Sequence, residues 1–197
     1  MSDEIKTIAV IGAGDAGREF ACAAVLAGFR TFLEDVSATR LGEAVAWIAK
    51  VASGAHSRLV IANSMEQAVR EADLIFEAVA EDAEMKIEMF TIFDKLAKPD
   101  AILASSSLAL PIAELAAMTF CPERCIGMRL VSETGREKLL ELVRAPGTSE
   151  ATMEACRAVG GRLRRKIVVV AERGSRRTSQ NPDEPSASEG DSAAMRR

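Results

Sequence analysis

Gly12-Ala13-Gly14-Asp15-Ala16-Gly17 places three glycines at GxGxxG spacing, directly after an apolar run and before a helical pattern. Each glycine has a separate physical task in a loop that holds a pyrophosphate. Gly12 permits a tight turn, Gly14 lets the backbone come close to the phosphates, and Gly17 lets the following helix pack on the strand. Phosphates held there meet the free N–H groups and positive dipole end of a helix. Asp35 follows at the end of the next apolar segment, where a carboxylate can accept hydrogen bonds from ribose hydroxyls. Strand, glycine loop, helix and acid in this order indicate dinucleotide binding. A carboxylate at that point repels a 2′-phosphate, so NAD is the expected cofactor rather than NADP. Arg30 precedes the second strand and Arg40 follows the acid, and neither reads as placed to reverse that preference.

These residues need a scaffold, and the rest of the chain supplies one. Strand-like segments are read at 5–11, 31–33, 58–61, 74–79, 101–104, 125–131, 139–143 and 167–170. Helical stripes are read at 16–26, 40–51, 65–71, 82–96, 111–117 and 149–159. Strands alternating with helices imply βαβ crossovers, hence a Rossmann-type, doubly wound α/β fold with a mostly parallel sheet. Beyond Cys121 the strands follow one another with less helix between them, so a few late strands complete the sheet. From residue 173 Ser, Pro, Arg and acidic residues replace the apolar ones. The expected organisation is therefore one NAD-binding domain over 1–172 and a disordered polar tail over 173–197.

Composition narrows the partners. The 197 residues are 48% hydrophobic and 27% charged with a net charge of -4, ordinary for a soluble domain and a poor match to a nucleic-acid-binding face. No apolar run approaches the ~20 residues of a membrane span. Four cysteines lack a CxxC pair and the single histidine, His56, lies in a polar turn, so no metal site is expected. Cys22 and Cys156 fall within helical patterns and read as small core residues. The expected compartment is the cytoplasm.

Longer blocks carry more. The opening IGAGDAGREFA, the stretch ADLIFEAVAEDAEMKIEMF from Ala72 to Phe90, and PDAILASSSLALPIAELA from Pro99 to Ala116 stand in order, followed by PERCIGMRL and KLLELVRAPGTSE. From about Ile5 to Val170 the chain resembles the N-terminal NAD-binding domain of the 3-hydroxyacyl-CoA dehydrogenases of fatty-acid metabolism. The resemblance implies an oxidoreductase that works on an acyl-CoA or a related hydroxy-acid substrate. It adds Glu81, Lys86 and Ser106 to the cofactor-binding set of Gly12, Ala13, Gly14, Asp15, Ala16, Gly17 and Asp35. Taken alone, Glu81 and Lys86 read as a helix-start acid and a solvated lysine.

The resemblance breaks at the catalytic positions. The family's histidine, which takes the hydroxyl proton, aligns with Arg129, and its catalytic serine with Leu108; Glu141 matches the acid that orients the histidine. The family's helical segment after the second strand is short here, and its C-terminal helical domain has no counterpart. Arg129 reads either as an ion-pair partner of Glu141 or as a clamp for a carboxylate or phosphate. Two functions follow as expectations. One is an NAD(H)-binding protein with a degenerate active site and weak or no dehydrogenase activity as an isolated chain. The other is an active oxidoreductase completed by a partner chain. Bare apolar surface on the late strands leads to an expectation of self-association.

Overall fold

The computed structural model describes residues 4–132 and 138–172; the polar tail expected over 173–197 lies outside the described residues. In chain order the elements are β1 (Thr7–Ile11), α1 (Asp15–Leu26), β2 (Arg30–Glu34), α2 (Ala38–Val51), β3 (Leu59–Ile61), α3 (Met65–Glu71) and β4 (Leu74–Glu77). They continue with α4 (Ala83–Leu96), β5 (Ile102–Ser105), α5 (Ile112–Ala116), β6 (Cys125–Ser132), β7 (Lys138–Arg144), α6 (Glu150–Arg162) and β8 (Lys166–Ala171).

The eight strands form one sheet in the order β3-β2-β1-β4-β5-β6-β7-β8. The first six strands run parallel, as a chain that interposes a helix or turn of helix between them requires. β6 and β7 pair antiparallel, and α6 then carries the chain across to lay β8 parallel to β7. This is the Rossmann-type α/β arrangement, with the strand order reversing between β1 and β4. Ligands of such sheets sit at the carboxyl ends of the strands beside that reversal.

Burial on both faces explains the near-continuous apolar strands. Ile8 and Val10 of β1 pack toward α1, α2 and α6 in one cluster; Ala9 and Ile11 pack toward α3, α4 and α5 in the other. Phe20 of α1 stacks on Phe76 of β4 with ring centroids 3.8 Å apart, fixing the helix that follows the glycine loop to the strand beside it. Cys22 and Cys156 are buried as small core residues, and so are Cys121 and Cys125. α6 runs on past Val159 through two glycines to Arg162. Gly160 lets the helix lie closely on β7 and β8, since a Cβ there would come within 2.9 Å of Leu140 and 3.0 Å of Ile167.

Candidate dinucleotide site

The glycine loop closes β1 at the strand-order reversal. Gly12 has φ +103°, and a Cβ there would stand 2.4 Å from the Ala78 carbonyl oxygen, so only glycine lets the ends of β1 and β4 approach this closely. A Cβ on Gly17 would fall 1.8 Å from the Gly12 carbonyl oxygen, so Gly17 makes the turn into α1 compatible with the loop. Gly14 differs: a Cβ there would meet nothing within 4 Å. Its open side leaves room for a phosphate group. α1 has no side-chain cap on its N-terminus, whereas α2, α3, α4 and α6 are capped by Ser37, Ser64, Asp82 and Ser149. Asp15, at the first helical position, and Ala16 are exposed beside that end, and Ala13 is buried under the loop. The loop thus fits a pyrophosphate, which would supply the missing anionic partner.

Asp35 stands one residue beyond β2, and its carboxylate is turned inward. Oδ2 accepts the Ala13 amide at 2.8 Å and Oδ1 accepts the Ser37 amide at 2.8 Å. The side chain is only 3% exposed, with Arg40 Nη1 3.4 Å from Oδ2. In this geometry the acid ties the end of β2 to the glycine loop and to the start of α2. A ribose hydroxyl would have to share it with those amides.

The second group of expected residues is joined by a network that the sequence reading missed. Lys86 is fully buried: its ammonium lies 2.7 Å from Glu77 Oε1, 3.4 Å from the Val79 carbonyl and 3.6 Å from Glu81 Oε2. Glu77, also fully buried, accepts the Val79 amide at 2.8 Å and the Ser105 hydroxyl at 2.6 Å. The Ser106 amide donates to the Glu77 carbonyl at 3.0 Å, which puts Ser106 at the end of β5 directly beside this network. Glu81 accepts the Ser107 hydroxyl and the Leu108 and Ala109 amides, so it organises the loop after β5. Burial pushes the Glu81 carboxyl up, but the Ser107 hydroxyl, the Ala109 amide, the Lys86 ammonium and the Leu108 amide outweigh it and hold the group below the usual carboxylate range. Glu81 and Ser106 are therefore open to solvent in whole or part at the strand ends, while Lys86 lies buried beneath Glu81.

At the far side of the site, β6 and β7 put Arg129 directly opposite Glu141 in register. Arg129 Nη1 lies 3.6 Å from Glu141 Oε2, with the side chains 21% and 23% exposed. The Arg129 Nε is buried and has no hydrogen-bond partner. Leu108 is 76% exposed on the loop after β5. His56 is exposed, its Nδ1 2.8 Å from the Ser53 carbonyl, and it precedes β3. β3 and β6 stand five strand spacings apart in the sheet, about 24 Å at ~4.8 Å each, so His56 is remote from Arg129.

Residues 7–173 match the family described as 3-hydroxyacyl-CoA dehydrogenase, NAD binding domain. The chain belongs to that family. As a 3-hydroxyacyl-CoA dehydrogenase NAD-binding domain, it is 34% identical over 183 residues to a 3-hydroxybutyryl-CoA dehydrogenase of Bradyrhizobium diazoefficiens, covering 86% of this chain and 62% of that protein. A probable 3-hydroxybutyryl-CoA dehydrogenase of Bacillus subtilis is 35% identical over 181 residues, covering 85% of this chain and 63% of its own. Among solved structures, the (S)-3-hydroxybutyryl-CoA dehydrogenase of Ralstonia eutropha superposes with a TM-score of 0.80 at 25% identity, over 86% of this chain and 65% of that one. The chain thus spans less than two thirds of the length of these relatives. NAD is the cofactor of the family, and the glycine loop described above is where its pyrophosphate fits.

Proposed function

We propose that this domain binds NAD(H) on the glycine loop and, as an isolated chain, has weak or no 3-hydroxyacyl-CoA dehydrogenase activity. The observation that supports this reading is the Arg129–Glu141 pair, at the point where the resemblance puts a proton-accepting histidine. Taking a hydride from an alcohol requires a base for the hydroxyl proton, with a pKa near the working pH. Guanidinium stays protonated above pH 12 and has no lone pair to offer. A missing base costs about 10²–10⁴ in rate. Leu108, exposed and apolar at the position matched to the family's serine, offers no hydroxyl either. On this reading the chain associates with itself or with a partner chain.

A second reading is an oxidoreductase of 3-hydroxyacyl-CoA, or of a related hydroxy acid anchored on Arg129, completed by a partner chain. The unpartnered Nε of Arg129 favours it, because that guanidinium has hydrogen-bonding capacity to spare. Mixing the protein with NADH and acetoacetyl-CoA and following the nicotinamide absorbance separates the two. No oxidation at high protein concentration is the expected result. Rapid oxidation would show that another group handles the proton, and the second reading would replace the first.

A further inference from the structure

α5 begins without a cap of its own. Pro111, which precedes it, offers no side-chain oxygen, so the first amides of the helix have no partner in their own turn. The carboxylate that meets them is Glu172, 60 residues further along the chain: Oε1 accepts the Ile112 amide, and Oε2 accepts the Ala113 amide at 2.9 Å. Glu172 is itself fixed where β8 ends beside β7, because its amide donates to the Arg144 carbonyl at 2.9 Å. Ile112 is buried against β6, where Gly127 leaves room for it; a Cβ on Gly127 would stand 3.1 Å from the Ile112 side chain. The start of α5 is thus held to the sheet by one apolar side chain and one distant carboxylate.

The loop 106–111 between β5 and α5 is tied at its other end by a second carboxylate. Glu81 accepts the Leu108 and Ala109 amides at 3.2 Å each and the Ser107 hydroxyl, whose oxygen in turn accepts the Leu110 amide at 2.9 Å. Leu108 and Ala109 are exposed, so apolar packing contributes little there and the order of the loop depends on these two acids. β5 and the Asp35 end of β2 lie on opposite sides of β1 in the sheet. A dinucleotide with its pyrophosphate on the glycine loop and one ribose toward Asp35 therefore brings its other half over the ends of β4 and β5, against Ser106.

We propose that Glu172 is a positioning residue of the dinucleotide site: by capping α5 it sets the loop 106–111, and with it Ser106, for the nicotinamide half of NAD(H). It acts through α5 and the loop rather than by contact with the ligand. The proposal rests on the reading that the dinucleotide seats on the glycine loop.

The test compares two ligands by calorimetric titration of the full chain, of Glu172→Ala and of Glu172→Gln. NADH fills both halves of the site, whereas ADP-ribose fills the glycine loop and the Asp35 side but carries no nicotinamide. In Glu172→Ala the NADH Kd rises about fivefold or more, the lower end of couplings between separated groups, while the ADP-ribose Kd stays within about twofold. Glu172→Gln keeps one acceptor oxygen for the two amides and falls between the parent and Glu172→Ala. Hydrogen exchange traces the path: the Leu108 and Ala109 amides lose protection in Glu172→Ala together with those of Ile112 and Ala113. An unchanged NADH Kd in Glu172→Ala would overturn the proposal. So would equal weakening of NADH and ADP-ribose, which marks general loosening, or faster exchange confined to Ile112 and Ala113, which marks a cap without reach. If Glu172→Ala does not fold, Glu172→Gln carries the same comparisons; failure of both to fold assigns Glu172 to stability alone and overturns the proposal as well. A parent chain that binds neither NADH nor ADP-ribose would instead overturn the nucleotide-site reading, which keeps the two failures apart.

Discussion

Lys86 has no route to water, and its ammonium is held by a carboxylate that has none either. Such a pair is costly to assemble, and its Coulomb attraction offsets the desolvation only because Val79 and Ser105 complete the hydrogen bonding of Glu77. Removing one partner leaves the other charge buried alone. Lys86→Met and Glu77→Gln are each expected to cost about 3–5 kcal/mol of unfolding free energy. Denaturant titration of the two variants checks this; a loss below about 1 kcal/mol would mean the site readily admits water. Sequence reasoning on its own took Lys86 for a solvated helix residue and passed over Glu77. The two lie on different elements, nine positions apart, so neither helical nor strand periodicity connects them. The available signal was an acid closing the apolar strand Leu74–Glu77, a position buried on both faces. The glycine loop was legible because its spacing is local: each glycine's task depends on neighbours that the chain itself supplies.

At the scale of elements, Asp73 does for the strand starts what Asp35 does for the strand ends. Its Oδ2 accepts the amides of Lys6 and Thr7 at 3.0 and 2.9 Å, and Oδ1 meets the Lys98 ammonium at 2.6 Å. One carboxylate thus joins β4 to β1 and to the turn after α4. Burial pushes this carboxyl up, and the Lys98 hydrogen bond, the two amides and the Lys98 charge more than offset it, leaving the pKa below its ordinary value. A carboxyl depressed in the folded chain binds fewer protons there than when unfolded. Its stabilisation is therefore complete above the unfolded pKa of about 3.9 and drains away as pH falls through the lower folded value. Asp73→Asn is expected to lower Tm at pH 7 and to bring it close to the parent's at the most acidic pH where both fold. Thermal melts across that range measure it, and equal Tm differences at every pH would assign Asp73 no ionic role. The elements themselves were largely visible in the sequence, each appearing at its expected place with ends shifted by a few residues at most. The exception with a physical lesson is α6, read over 149–159 but running to Arg162, where Gly160 serves close packing on the sheet. The antiparallel pairing of β6 with β7 was foreshadowed only as missing helix, since pairing direction follows from connection length rather than from strand composition.

At the scale of the whole molecule, the two ends of the sheet are unlike. β3 is three residues long, and the charged Arg58 immediately precedes it. β8 is six residues long, pairs with β7 alone among the described residues, and after Lys166 contains neither proline nor charge as far as Ala171. Val168, Val169 and Val170 are 38%, 44% and 38% exposed. A β-branched edge whose charge is confined to its first residue is one that proteins ordinarily blunt further along with lysine, proline or a covering segment, because edge N–H and C=O groups template another strand. The exposed valines extend that surface onto both faces of the sheet, which a second strand alone would leave partly open. Concentration-dependent association through this edge is therefore expected, visible by light scattering as a rising mean mass. Val169→Lys places a charge on the edge while leaving the β7 pairing intact, and is expected to shift the protein toward monomer without lowering NADH affinity. A parent chain that stays monomeric at high concentration would mean that some other part of the molecule already guards the edge. Unchanged association of Val169→Lys would move the interface elsewhere.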